Sequence, residues 1–116
     1  MEAIAKPLPR ITPDLAPFFA AAKARKLVVQ RCTSCGQRRF PQRELCSSCW
    51  SRDTEWVPVS GRGAVFSFYW MHQIYHPGFA AEVPYAVVIV ALEEGPHMLS
   101  NIVGCSREQL RIGLRV

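Results

Sequence analysis

The sequence predicts a mainly β chain: an N-terminal helix, a ribbon of metal-stapled hairpins, then a small antiparallel barrel. Three observations carry this. Four cysteines fall in two pairs, Cys32-x2-Cys35 and Cys46-x2-Cys49, with ten residues between the pairs. Short aromatic and β-branched runs, divided by Gly, Pro and acidic turns, fill the chain after Glu55. Before the cysteines, apolar residues recur at helical spacing behind a proline. The boundaries predicted are residues 1–26 for an extended segment and helix, 27–53 for the ribbon, and 54–116 for the barrel.

The elements follow in order. Residues 1–11 are Pro-rich and expected to be extended. Thr12-Pro13-Asp14 reads as a helix start, with a hydroxyl cap, proline at the first position and an acid in the first turn. Pro17 could kink or delay that helix. Leu15, Phe18, Phe19 and Ala22 form one apolar face, which either packs on its own domain or docks a partner. Lys23, Arg25 and Lys26 close the helix, where cations favour the C-terminus. Leu27 to Arg31 reads as a strand leading into the first knuckle, and Gly36 lets the backbone turn after Cys35. Trp50 or Trp56, or both, are expected to cover the cysteines.

Trp56 to Val59 reads as the first barrel strand, and Gly61-Arg62-Gly63 as a bend at a barrel corner. Ala64 to His72 is an aromatic strand. Strict alternation would send Phe66, Phe68 and Trp70 to one face and Ser67, Tyr69 and Met71 to the other. Residues 73–84 read as a long loop. Tyr85 to Leu92 is apolar on both faces and should be central, with a turn at 93–96 and a strand from Met98 to Val103. Ser106 to Leu110 reads as one capped helical turn. A strand starting at Leu114 has only three residues, short for closing a barrel. The barrel is therefore either partly open at its C-terminal end or completed by another chain.

Two facing C-x2-C knuckles make a tetrahedral sulfur cage, which suits zinc in a closed structural site. Cys32, Cys35, Cys46 and Cys49 are the expected metal ligands, in a rubredoxin-like zinc ribbon. The same sulfurs could hold iron, as in an electron carrier. No signal sequence is read at the N-terminus, so a reducing cytoplasm fits better than a disulfide framework. The longest apolar run, Tyr85 to Leu92, is too short to span a membrane. Cys105 reads as a small buried hydrophobe. His72 and His76 lie in or beside the long loop and read as solvated, and His97 as solvent-facing. The formal charge of +5 falls to about +3 once four thiolates and one divalent ion are counted. Such an excess could attract nucleic acid or the phosphates of a cofactor. The aromatic strand could stack bases, as single-strand-binding OB-folds do, but cations are sparse in the barrel half. No catalytic acid–base or nucleophile constellation stands out.

The motifs converge on one family. The run Leu27 to Cys35-Gly36, then Phe40-Pro41-x-Arg43, then Cys46-x2-Cys49, then Val59-Ser60-Gly61-Arg62-Gly63, resembles a zinc-ribbon plus OB-fold family associated with acyl-CoA metabolism. Pro84-Tyr85, Leu92-x-Glu94-Gly95 and Ile112-Gly113 extend the resemblance, which covers residues 16 to 116. It implies a small antiparallel OB-fold barrel after the ribbon and four cysteine ligands for zinc. It also implies an accessory subunit of a thiolase-like enzyme or steroid side-chain retro-aldolase, with a CoA ester near the interface. Hydratases of the hot-dog fold are the other partners the family implies. No catalytic residue carries over. The loop residues Tyr75, His76 and Phe79, with Tyr85, are the candidates for contact with partner or acyl chain. A nucleic-acid-binding module and an iron carrier stay as rival readings.

Overall fold

A computed structural model describes residues 5–116; residues 1–4, the start of the segment read as extended and free of a signal, lie outside them. Residues 5–12 form no helix or strand. Helix α1 spans Ala16–Lys23, later than Thr12-Pro13 suggested. Thr12 instead opens a turn, its carbonyl accepting from Leu15 N at 3.0 Å and Ala16 N at 2.9 Å. Pro17 then falls in the first helical turn, where its missing N–H costs nothing. Of the predicted apolar face, Phe18 packs on the chain itself. Its ring lies 5.6 Å from Phe40 and 6.2 Å from Trp56, which ties the helix to the ribbon. Ala22 is exposed.

The ribbon sheet has the order β2-β1-β3, with β1 at Val28–Cys32, β2 at Arg38–Arg39 and β3 at Thr54–Pro58. Both pairings are antiparallel. The strand read as opening the barrel is thus β3, which runs along the whole of β1 from Val28 opposite Pro58 to Cys32 opposite Thr54. The reason is cover: β1 buries Val28 and Val29, and the two-residue β2 reaches only one end of it. A buried network holds the hairpin between the knuckles. Gln30 Oε1 accepts from Arg39 Nε at 3.1 Å and from Arg43 N at 2.8 Å, and an Arg39 Nη atom donates to the Arg43 carbonyl.

The barrel sheet has the order β4-β5-β6, with β4 at Gly63–Met71, β5 at Tyr85–Leu92 and β6 at His97–Asn101. β5 is central, as its two apolar faces predict. The alternation expected along β4 does not hold. A bulge falls at Phe66, so Val65 pairs with Val90 and Ser67 with Ile89. Val65, Phe68 and Trp70 therefore face the core, while Phe66 is turned out and 55% exposed. Inside, Val65, Ala86, Val88 and Leu110 form the buried cluster, with Cys105 and Leu114 packed at its margin. The predicted turn after Cys105 delivers Leu110 to that cluster. Ser106 Oγ accepts from Gln109 N, and the Gln109 side chain accepts from Ser106 N at 2.9 Å, a reciprocal cap. Residues 113–116 lie along the outer edge of β4, joined by hydrogen bonds between Gly63 and Val116 and between Val65 and Leu114.

Gly63 sits where β4 crosses closest to β5. A Cβ there would lie 2.5 Å from the Ala91 carbonyl oxygen, a backbone atom that cannot move aside. Gly63→Ala is expected to destabilise the chain by about 1–3 kcal/mol through overpacking. Chemical denaturation monitored by tryptophan fluorescence checks this, and an unchanged midpoint would contradict it.

Candidate metal centre

The two knuckles are built alike. In the first, Gly36 N donates to Cys32 O at 2.8 Å, and Cys32 N donates to Gln37 O at 2.8 Å. In the second, Trp50 N donates to Cys46 O at 2.9 Å, and Cys46 N donates to Ser51 O at 2.9 Å. Each needs a left-handed residue directly after its second cysteine. Gly36 supplies it at φ 82° without steric cost, and Trp50 supplies it at φ 66°. In each knuckle the first cysteine is buried and the second is exposed: Cys32 and Cys46 are buried, Cys35 and Cys49 exposed.

The knuckles face each other so that the closest sulfurs lie across them. Cys32 and Cys49 are 3.5 Å apart, as are Cys35 and Cys46, and all four Sγ atoms lie within 4.8 Å of one another. A disulfide needs sulfurs about 2 Å apart, so these are four free thiols. A tetrahedral ion with bonds of about 2.3 Å to sulfur sets the sulfurs about 3.8 Å apart. The cluster therefore fits a four-thiolate ion, and these cysteines are positioned for metal binding.

The backbone prepares the thiols for that charge. The Cys35 N–H, then the Ser34 N–H, stabilise the Cys32 thiolate and hold its pKa down to about 6. Cys46 is lowered in the same way by the N–H groups of Cys49 and Ser48. Cys49 goes the other way. The Ser51 N–H favours its thiolate, but Cys32, burial, Cys35 and Cys46 together outweigh it and push it up to about 12. Four thiolates so close cannot all ionise without a cation among them.

Neither tryptophan caps the cluster as expected. Trp50 is 75% exposed, and Trp56 turns to Phe18. The left-handed turn carries the Trp50 side chain outward, and Trp56, on β3, faces the helix.

The other predicted residues do not gather at the cysteines. His76, Phe79 and Tyr85 form a separate aromatic run at the far end of the barrel. Phe79 lies 6.3 Å from His76 and 6.2 Å from Tyr85. Pro77–Phe79 form a short 3-10 turn fixed by Gly78 N donating to His76 Nδ1 at 3.0 Å. Lys6 crosses this loop, over the Phe79 ring and paired with Glu82 at 2.8 Å. Tyr75 stands apart from the run and is 74% exposed. His72 meets Arg107, whose guanidinium stacks on Trp70 at 4.9 Å. His97 is exposed but not simply solvated, since its ring stacks on Phe66 at 4.6 Å. With Phe40, Pro41, Ile89 and Leu99 it lines an apolar groove of about 460 Å³ between ribbon and barrel. Sequence reasoning missed that groove, because its lining comes from Phe40-Pro41 and from β5 and β6, segments distant in sequence. No helix among the described residues is long and apolar enough to cross a membrane.

The fold and its thiol cluster define a metal-binding ribbon joined to a small OB-type barrel. Residues 19–55 match the family described as ChsH2, rubredoxin-like zinc ribbon domain, and residues 56–116 match ChsH2, C-terminal OB-fold domain. The chain belongs to this ChsH2 zinc-ribbon and OB-fold family. A solved structure named Ltp2-ChsH2(DUF35) aldolase superposes with a TM-score of 0.80 and 40% identity, covering 93% of this chain and 84% of that one. A probable enoyl-CoA hydratase alpha subunit of Thermomonospora curvata is 40% identical over 96% of this chain. A DUF35 domain-containing scaffold protein of Methanocaldococcus jannaschii is 37% identical over 78% of it. The chain spans 34% of the first of these relatives and 64% of the second.

Because Cys49 holds its proton and the ion needs a thiolate, metal loading near neutral pH is expected to release protons. Titrating the reduced, metal-free chain with zinc in weakly buffered solution should show at least one proton released per ion. The sign follows from the ligands: apparent affinity falls as pH falls and thiols recapture protons. Loading without proton release would contradict the cluster as described.

Proposed function

We propose that the chain is an accessory, non-catalytic subunit of an acyl-CoA enzyme that makes or breaks carbon–carbon bonds. The partner is a thiolase-like protein, acting as a retro-aldolase or thiolase. The observation that carries this is the likeness to the Ltp2-ChsH2(DUF35) aldolase, across nearly the whole chain and at 40% identity. The relative named as a scaffold protein supports a binding rather than a chemical role. The ion proposed for the cysteines is zinc, held structurally by Cys32, Cys35, Cys46 and Cys49. Zinc would neutralise the thiolates and cross-link the two knuckles, leaving bond chemistry to the partner.

In this reading the chain works in the cytoplasm, supports CoA-ester binding and stabilises the complex. The loop carrying Tyr75, His76 and Phe79, with Tyr85 at the start of β5, meets the partner or the acyl chain. The exposed Tyr75 and the partly exposed rings of Phe79 and Tyr85 supply aromatic surface of the kind interfaces favour, which supports this reading. A second reading has its own support. The hydratase alpha subunit matches almost all of this chain, so the partner could be a hot-dog-fold hydratase instead.

Co-expression with a thiolase-like protein, followed by a CoA-ester assay with and without this chain, separates the two. The proposal expects a stable complex, carbon–carbon turnover that depends on this chain, and a colourless protein containing one zinc per chain. Tyr75→Ala combined with Phe79→Ala should weaken the complex or turnover at least about tenfold, roughly the loss of one interface anchor. Water addition without carbon–carbon turnover would favour the hydratase reading. Red protein would replace zinc by iron. Unchanged complex and turnover in the double variant would remove the loop from the interface.

A further inference from the structure

Trp50 holds a conformation that packing within its own chain does not explain. Both knuckles need a left-handed residue at the same place, and the first uses Gly36. The second uses Trp50, at φ 66°. For so bulky a side chain that backbone is an outlier, and a residue other than glycine keeps it only at a cost. Arg25, the other such residue among those described, closes α1, where left-handed ends are common. The Trp50 ring recovers nothing in return. It is 75% exposed, and no aromatic or cation–ring contact among the described residues includes it. Its N–H donates to Cys46 O, a bond that glycine would make equally well. Strained positions of this kind cluster at functional sites.

The surroundings say what charge would suit it. Trp50 directly follows Cys49, which is exposed, as Cys35 is. Four thiolates around one divalent ion keep a net charge of about −2. Arg31 and Arg52, beside the cysteines in sequence, are each paired with a glutamate, Glu55 and Glu44. The metal-loaded second knuckle is therefore negative, with an exposed indole beside it.

We propose that Trp50 anchors a partner protein, and that the partner group it takes is a cation, an arginine or lysine side chain laid on the indole face. Such a group is attracted by the ring and by the thiolates together. Arginine suits the place better, since its guanidinium stacks flat and is more weakly hydrated than an ammonium. Phosphate-bearing ligands and acidic surfaces are repelled from the same place. A second copy of this chain is a poor occupant, because a two-fold contact through this knuckle would bring two negative clusters together. The inference rests on the accessory-subunit reading for the existence of a protein partner, and adds to it a contact on the ribbon.

The test uses the metal-loaded chain, alone and with the thiolase-like protein co-expressed with it. Trp50→Gly should leave the thermal midpoint of the free chain unchanged or higher, since glycine adopts this backbone freely. The same variant should weaken the complex at least about tenfold, as the loss of an interface anchor does. Trp50→Leu keeps apolar bulk but has no π face, and should weaken the complex nearly as much. Trp50→Phe keeps a π face and should weaken it less. A wild-type chain that forms no complex would remove the accessory-subunit reading, and this inference with it. A wild-type complex that Trp50→Gly leaves at full strength would remove this inference alone. A free Trp50→Gly chain that melts earlier would make the ring structural, and Trp50→Leu binding as tightly as wild type would put an apolar group in place of the cation. Either result overturns the proposal, as would a dimer of this chain that buries Trp50.

Discussion

Mutual repulsion among four thiolates is the constraint on which the rest of the structure depends. The knuckles turn their N–H groups toward the sulfurs, which lowers Cys32 and Cys46 but leaves Cys49 holding its proton. Only a cation at the centre removes that conflict. Around it, the ribbon buries little apolar surface: Val28 and Val29 on β1 and the two inner cysteines. So small a core rarely holds a fold by itself, which is why metal or disulfide staples recur in modules of this size.

What the ribbon positions follows from β3. This strand completes the ribbon sheet and runs directly into the barrel through Val59, whose N–H donates to Leu27 O at 3.0 Å. Ser60 N then donates to Glu94 at the β5–β6 turn, and that bond holds the Glu94 carboxyl below its ordinary range. These hydrogen bonds join ribbon and barrel, and the apolar groove between Phe40-Pro41 and Leu99 lies between them.

Much of this was legible in the sequence, for identifiable reasons. Paired C-x2-C spacing dictates the knuckles whatever surrounds them, and the doubly apolar run Tyr85 to Leu92 could only be a central strand. The capped turn at Ser106 was legible because its hydrogen bonds are local. What escaped was decided by contacts distant in sequence. β3 pairs along β1 because β1 needs cover, a fact that no window around Trp56 contains, although the match to the OB-fold domain begins at residue 56. The Phe66 bulge shifts one residue out of register, and period-two alternation cannot register a single inserted residue. The helix start slipped because Thr12 can cap a turn as well as a helix. Trp50 does not cover the sulfurs because its left-handed backbone angle, which no residue pattern announces, decides where it points.

Hydrogen exchange on the metal-loaded chain, before and after a strong chelator, tests most directly whether the cysteine cage holds the ribbon in place. Amides of β1, β2 and β3, within residues 28–58, are expected to lose protection together when the ion is withdrawn, while β5 amides, within the barrel core, stay slow. Ribbon amides that kept their protection without metal would show that packing alone holds the ribbon, and would contradict the account at its base.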